Sequence, residues 1–174
     1  MKHVLLLDMA IHTFDMARFL GGGSAQSVFC REWNPKGSWY AHDASASAIF
    51  EMSQNIVFNF RGSWCATGLP SGFQSGWRII GERGTLLWDG GEGFSCEVED
   101  GNEGFFRPVK TVEVPTGDFG FKAQGHGGVL REFISAVQGG GPAPETSARD
   151  NIHSLAMVLR AIESSETGRV VTLD

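Results

Sequence analysis

Asp8 and His12 are the two residues of this 174-residue chain whose types and spacing best suit proton transfer. They stand four apart at the start of a periodic apolar segment, so a helix places both side chains on one face, one turn apart. Histidine titrates near neutral pH and is the usual proton-transfer residue, and a neighbouring carboxylate orients its ring. A helix N-terminus nearby disfavours the charged ring, so spacing alone leaves open whether His12 acts as a base.

The plainer alternative is that Asp8 only caps a helix and that His12 is an ordinary surface or core histidine. The pattern Asp-x-x-x-His is weak by itself, and on spacing alone this alternative is favoured. Asp15 and Phe19 extend the same helical face.

The segment that carries these residues predicts an amphipathic helix from Asp8 to Leu20. Asp8 stands at or near its N-cap, and three glycines at 21–23 end it. From Ala25 to Pro115 the pattern changes to short alternating strands joined by tight turns. Strands are predicted at residues 26–33, 44–52, 55–64, 77–81, 85–88, 94–99, 105–109 and 110–114.

The C-terminal third returns to helix. The segment from Gly128 to Val137 carries an apolar stripe of Val129, Leu130, Phe133, Ile134 and Val137. Ser147 is the expected N-cap of a last helix, with Asp150 three residues on, and that helix continues to about Glu166. It is predicted to bury Ile152, Leu155, Ala156, Leu159 and Ile162. A final strand is predicted at residues 169–173.

Strands that are segregated from helices along the chain predict an α+β fold. We expect residues 1–174 to form a single domain with a largely antiparallel open sheet of six or more strands and with helices packed on one face. The other face is then rich in Phe and Trp, and contiguous exposed apolar surface normally marks an interface. The sequence therefore predicts a homodimer or a larger even oligomer through the sheet face.

Composition narrows the class of partner. The formal net charge is -6 and the fourteen basic residues are scattered, which argues against nucleic acid or an anionic membrane as the main partner. No stretch reaches the roughly 18 consecutive apolar residues of a membrane span. Cys30, Cys65 and Cys96 are odd in number and widely spaced, which indicates reduced thiols and a cytoplasmic location. The five histidines form no close pair, so no metal site is predicted.

Aromatic residues and one further histidine are weaker candidates. Trp64, Trp77 and Trp88 fall on predicted strands and suit a sugar-binding platform, although core or interface packing is the more common role of a strand tryptophan. His126 lies among glycines before a helix, where a site role is the less favoured of its two interpretations.

Three segments together resemble the C-terminal domain of the Gfo/Idh/MocA oxidoreductases, the relatives of glucose-fructose oxidoreductase and inositol dehydrogenase. Residues 7–22, LDMAIHTFDMARFLGG, are similar to the D-x-x-x-H…D…L-G signature that opens that domain. Residues 77–86, WRIIGERGTL, are similar to its strand-turn-strand I-x-G-x-x-G-x-L. Residues 145–150, 161–165 and 168–171 are similar to its closing helix and strand.

The resemblance implies a dihydrodipicolinate reductase-like fold that binds the substrate of an NAD(P)-dependent oxidoreductase acting on a sugar or polyol hydroxyl. In that family the histidine matching His12 takes the hydroxyl proton, and the aspartate matching Asp8 binds or orients. Asp15, His126 and Trp64 are the candidate substrate contacts.

The chain departs from the family in one respect. Enzymes of that family have an N-terminal Rossmann domain that binds NAD or NADP and supplies a catalytic lysine, and this chain has no match to either. Its glycines at 21–23 end a helix rather than open one. NAD or NADP is therefore expected in the complete enzyme only, and the chain alone is expected to bind neither and to be inactive. The alternative is a non-enzymatic dimerising or carbohydrate-binding module derived from such an enzyme.

Overall fold

The computed structural model describes residues 1–115, 125–144 and 146–173. Glu145, which opens the third matched segment, lies outside these ranges. The chain divides into two compact units, one of residues 1–67 with 132–174 and one of residues 68–131. The expectation of a single domain over residues 1–174 stays a prediction.

The strands are β1 (Ala25–Trp33), β2 (Ser45–Met52), β3 (Ile56–Ser63), β4 (Trp77–Gly81), β5 (Gly84–Trp88), β6 (Phe94–Glu99), β7 (Val109–Val112) and β8 (Val171–Thr172). The helices are α1 (Ile11–Gly21), α2 (Gly125–Val137) and α3 (Ala148–Thr167), with a π-helical segment (Leu6–Ala10) directly before α1. Two antiparallel sheets form, in the orders β3-β2-β1-β8 and β4-β5-β6-β7. The α+β class is confirmed, and the strands form two sheets of four where the sequence suggested a single sheet.

In the first unit, α1 and α3 cover one face of the sheet. Phe14 of α1 is fully buried and meets the ring of Phe50 on β2 edge-to-face, with centroids 4.8 Å apart. Val28 of β1 and Met157 of α3 belong to the same buried cluster. This core fixes α1 on the sheet and so sets which of its side chains face outward.

The helix that leads into α1 begins earlier than the sequence suggested. Helical winding starts at Val4, and Asp8 lies in the middle of the π-helical segment, so its assignment as N-cap is wrong. The leucines before Asp8 extend the apolar period back by a turn, because Leu5 and Leu6 are buried in the core. The predicted C-terminus is confirmed, since Gly22 caps α1 with a left-handed φ of 62°.

The last helix, α3, begins where the sequence predicted. Ser147 is its N-cap, and the Ser147 hydroxyl accepts the Asp150 N–H at 3.2 Å. The predicted buried row is only partly right, because Ile152, Leu155 and Leu159 are exposed. Ala156 is half-buried, and Ile162 packs against the core. The inner row of α3 consists of Ser154, Met157, Val158, Ala161 and Ser164.

Two serines explain why α3 presents this row to the core. Buried Ser164 accepts the Cys30 N–H at 2.9 Å and donates to the Arg169 carbonyl at 2.5 Å. Ser154 is bonded in the same way to partners on α1. Because these serines are small and their hydroxyls are hydrogen-bonded, the helix can pack close to the sheet on this side. A row of leucines would keep it further away.

The apolar stripe of α2 is exposed in the structure. Val129, Leu130, Phe133, Ile134 and Val137 are all more than half exposed. Among the described elements, none packs extensively against α2.

The second unit contains the sheet β4-β5-β6-β7. The turn at Glu82 joins β4 to β5 as predicted, and a Cβ at Gly84 would lie 2.5 Å from the Glu97 carbonyl oxygen on β6, so glycine is required there. The strand predicted at residues 105–109 is wrong, because a single strand, β7, begins at Val109. Pro108, directly before it, has no N–H to give to a ladder.

None of the helices in the described ranges combines the length and apolar character that a membrane span requires.

Candidate active site

Asp8 and His12 lie on the segment that joins the π-helical turn to α1, and both side chains are exposed. The neighbouring positions Ala10 and Phe14 are fully buried in the core. Buried and exposed positions therefore alternate at helical spacing, and the sheet holds the two polar residues outward. A π turn within an α-helix is rare and is frequent at functional sites.

The position of His12 changes one electrostatic argument. Because winding starts at Val4, His12 lies more than two turns from the helix N-terminus. The field of a helix end fades within its first turn, so it has little effect on this ring. The nearby carboxylate of Asp8 is the influence that remains from the sequence argument.

Asp15 lies one turn further along α1, where it joins a network with α3. The Ser154 hydroxyl donates to Asp15 Oδ1 at 2.6 Å, and Arg18 Nη1 donates to Ser154 Oγ at 2.7 Å. Arg18 also contacts Asp15 Oδ1 at 3.4 Å. The Asp15 side chain is 40% exposed, so it is held in place while one part stays accessible.

Arg18 is mostly buried and binds the carboxylate of Asp150 through both terminal nitrogens. This guanidinium lowers the pKa of Asp150, first through its hydrogen bonds and also through its charge. A cavity of about 340 Å³ opens beside the network and is lined by Asp15, Arg18, Phe19, Thr146 and Asp150, with three residues after α1.

The sequence missed Arg18 as a site residue. The one signal in the sequence was a cation three residues after Asp15, on the same face of the helix. Nothing in the sequence pairs residues that lie 132 positions apart.

Trp64 directly follows β3, and its backbone N–H donates to the Ala44 carbonyl at 2.9 Å. The ring is half-buried at the edge of the core, with its centroid 6.2 Å from that of Tyr40. Packing is therefore one role of this residue, and part of the ring stays accessible.

The remaining aromatic and histidine candidates lie in the second unit. His126 is exposed in the first turn of α2. Trp77 and Trp88 are half-buried cross-strand neighbours, and their ring N–H groups donate to the carbonyls of Gln74 and Gly91. Trp88 also stacks on Phe94, at 5.8 Å between centroids, which is the contact of a packing residue.

Within the described residues, no glycine-rich turn joins a strand directly to the start of a helix. A dinucleotide pyrophosphate is usually held where a glycine-rich turn follows a strand and opens a helix. Here Gly22 closes α1, and Gly84 serves the close approach of β5 to β6. Within the same ranges, no three His, Cys, Asp or Glu side chains gather as a metal site requires.

Residues 2–87 match the model of the GFO/IDH/MocA C-terminal domain. This chain belongs to that family. The match includes the segment with Asp8, His12 and Asp15, together with the whole first sheet except β8.

Proteins similar to this family member cover nearly the whole length of the chain. The uncharacterized protein y4oX of Sinorhizobium fredii (strain NBRC 101917 / NGR234) is 27% identical over 98% of this chain and 47% of its own. An NAD-binding protein from Listeria innocua has a TM-score of 0.74 at 16% identity, over 97% of this chain and 51% of its own.

A third protein similar to this family member is a levoglucosan dehydrogenase, solved in complex with NADH and L-sorbose. Its TM-score is 0.69 at 18% identity, over 96% of this chain and 49% of its own. At these identities the solved structures show the fold alone. The chain spans about half the length of the relatives it matches.

Proposed function

We propose that this chain is the substrate-binding half of an NAD(P)-dependent oxidoreductase that acts on a sugar or polyol hydroxyl. The observation that carries the proposal is that Asp8 and His12 are both exposed, four residues apart, on a helix whose opposite side is fixed in the core. Similarity to a dehydrogenase solved with NADH and L-sorbose supports the substrate class.

In this proposal His12 is the general base that accepts the proton. Oxidation of an alcohol to a carbonyl releases the hydroxyl proton, which a ring nitrogen of His12 takes up when the hydroxyl lies within hydrogen-bond distance. Asp8 orients the ring or binds a neighbouring hydroxyl. Asp15, which Ser154 and Arg18 hold in place, presents a second carboxylate to the substrate.

Cofactor binding is assigned to another part of the enzyme. No glycine-rich turn among the described residues joins a strand to a helix, and the relatives contain about as much chain again as this one spans. The oxidation also removes a hydride, and no residue of this chain is assigned to that part of the reaction. The isolated chain is therefore expected to be inactive with NAD or NADP.

Self-association through the outer face of the first sheet is a second part of the proposal. Phe29, Ile49 and Val57 are 43%, 48% and 59% exposed on that face, and Arg31 and Glu51 stand among them. In a two-fold interface the same surface of both copies meets. A face that carries apolar side chains, one arginine and one glutamate can then pair apolar with apolar groups and positive with negative charges.

Sedimentation of the chain tests this part. A homodimer at micromolar concentration is expected, with Ile49→Asp shifting it to monomer. Leu159→Asp is the matched control because Leu159 is 51% exposed on α3, which covers the opposite face of that sheet. A wild-type monomer, or a dimer that Ile49→Asp leaves intact, contradicts the proposed interface.

Ligand binding tests the site in the chain itself. Saturation-transfer NMR with L-sorbose, glucose, glycerol and inositol is expected to detect at least one ligand. His12→Gln and Asp8→Asn are each expected to weaken binding about tenfold, as loss of a charged or charge-assisted hydrogen bond does. His153→Gln, exposed on α3, is the control. Binding that both site variants retain favours the non-enzymatic module instead.

Activity requires the chain to be joined to the NAD-binding half of a relative. In that fusion, His12→Ala is expected to lower kcat by at least about 100-fold, the effect of losing a general base. An unchanged rate contradicts the assignment of His12. Turnover of a polyol by the isolated chain contradicts the claim that it is only the substrate half.

A further inference from the structure

A second group of titratable residues lies at the start of the helix that leads to Asp8. His3 Nδ1 is 2.6 Å from Glu32 Oε2 on β1, and His3 Nε2 is 3.3 Å from Glu166 Oε1 near the end of α3. The carbonyl of His3 accepts the Leu7 N–H at 2.9 Å, the first bond of the helix. One imidazole therefore joins the helix start to a strand and to a second helix.

The partners of His3 differ in burial. The Glu32 side chain is 1% exposed, whereas that of Glu166 is 59% exposed. Glu32 Oε1 has no hydrogen-bond partner among the described residues. A buried carboxylate without full hydrogen bonding is costly in its charged form, so this acid depends on the proton that it shares with His3.

The surroundings of Glu32 favour retention of that proton. Burial raises the pKa of Glu32, and Asp43 before β2 raises it further, while the hydrogen bond and charge of His3 lower it. The Ser165 hydroxyl of α3 accepts the Glu32 N–H at 3.0 Å. Burial, with the charge of Glu32, raises the pKa of neighbouring Cys30 to about 12, so this thiol adds no charge near neutral pH.

The backbone at His3 is held in an uncommon conformation. Its φ is 54°, in the left-handed region that residues other than glycine rarely adopt. Such a conformation persists where the surrounding contacts fix it. His3 reaches Glu32 and Glu166 from this conformation.

The number of protons on the His3 ring and Glu32 decides whether His3 can hydrogen-bond both carboxylates at once. One proton lies between Nδ1 and Glu32 Oε2, on either atom, and a second lies on Nε2 and is donated to Glu166. When the shared proton leaves, the neutral ring has one N–H for two carboxylates, and a lone pair faces one of them. The pair of contacts is therefore complete while the shared proton is present and is lost when rising pH removes it.

We propose that His3, Glu32 and Glu166 form a proton-dependent clamp that positions the helix carrying Asp8 and His12. The clamp is the positioning device and touches no substrate. Its consequence for catalysis rests on the proposed function of His12, whereas the clamp itself is tested without a ligand.

Amide exchange of Leu7, measured by NMR on the whole chain and corrected for the intrinsic pH dependence, reports whether the clamp is closed. In the wild type this corrected rate is expected to rise about tenfold when the clamp loses its shared proton. A rise of that size corresponds to the loss of one charge-assisted hydrogen bond. The ring nitrogens of ¹⁵N-labelled His3 are expected to report that loss over the same pH range.

Three variants distinguish a clamp from simple packing. Glu32→Gln keeps a hydrogen-bonding group but has no titratable proton, so the rate is expected to lose its pH dependence. His3→Gln is expected to exchange fast at every pH. If it does not fold, Glu166→Ala at the exposed partner is expected to give about a threefold increase at low pH.

His42→Gln, exposed in the loop before β2, is the control and is expected to match the wild type. A wild-type rate that stays flat while the ring nitrogens of His3 report loss of the shared proton overturns the proposal. Dependence of the rate on pH that persists in Glu32→Gln overturns it as well. Failure of the proposed function appears separately, as sugar binding that His12→Gln does not weaken.

Discussion

Arg18 on α1 binds Asp150 at the start of α3 through two nitrogens, with N···O distances of 2.8 and 3.3 Å. The same guanidinium contacts Asp15, the residue one turn after His12. Because Asp150 is also the residue that bonds the N-cap Ser147, a single cation joins the beginning of one helix to the candidate site on another. The geometry of Asp15 is thus determined by both helices.

Asp150→Asn is expected to reduce the loss of stability in acid. Arg18 holds the pKa of Asp150 below its ordinary value of 3.8, so the ionised pair stabilises the folded chain above that value and this contribution is lost as pH falls through the lowered pKa. Urea unfolding between about pH 2 and 7 measures the slope. The difference is expected to shrink in 1 M salt, because Asp150 is exposed. Glu92→Gln, at an exposed carboxylate before β6, is the control. An equal acid slope in wild type and Asp150→Asn contradicts the argument.

Phe14→Ala is expected to destabilise the chain by about 3–5 kcal/mol, since it leaves a cavity in the core. The ring meets Phe50, Phe60 and Phe58 edge-to-face at 4.8, 5.2 and 6.0 Å between centroids. Urea denaturation followed by tryptophan fluorescence measures the loss. Phe19→Ala is the matched control on the same helix, because Phe19 is 74% exposed, and a similar loss in both variants contradicts the assigned face of α1.

The sequence predicted the parts of this fold that local chemistry determines. Ser147 begins α3 as expected, and Glu82 lies in the predicted hairpin turn, because caps and tight turns depend on a few neighbouring residues. The segment with Asp8 and His12 was also found from sequence, through a resemblance that a family model confirms.

What the sequence did not predict depends on contacts between distant residues. The apolar row of α3 that looked strongest faces outward, because Ser164 and Ser154 form hydrogen bonds that only the folded chain supplies. Likewise, no local pattern shows that His3 meets Glu32, 29 positions away. The spacing of apolar residues along the sequence identifies an amphipathic helix. Which of its two apolar rows is buried depends on the surface against which the helix packs.

The two rows of α3 give a direct comparison. Met157→Ala is expected to cost about 2–5 kcal/mol because the side chain is fully buried, whereas Leu155→Ala, at 43% exposure, is expected to cost clearly less. Urea denaturation of both variants measures the difference. If Leu155→Ala is the more damaging substitution, the row predicted from sequence is the buried one and the orientation of α3 described above is wrong.

Cys65 is expected to be alkylated first, well before Cys30. Hydrogen bonds from the hydroxyls of Ser63 and Ser45 lower the pKa of the Cys65 thiol, so more of it is thiolate near neutral pH. Burial raises the pKa of Cys30 to about 12, so Cys30 is expected to react only when the chain unfolds.

Iodoacetamide at pH 7.5 followed by peptide mass spectrometry separates the sites. Ser63→Ala is expected to slow the reaction of Cys65 at pH 7.5 and much less at pH 9.5, where the thiol ionises without help from the hydroxyl. Equal slowing at both pH values would instead mean that Ser63 controls access to the sulfur rather than its charge.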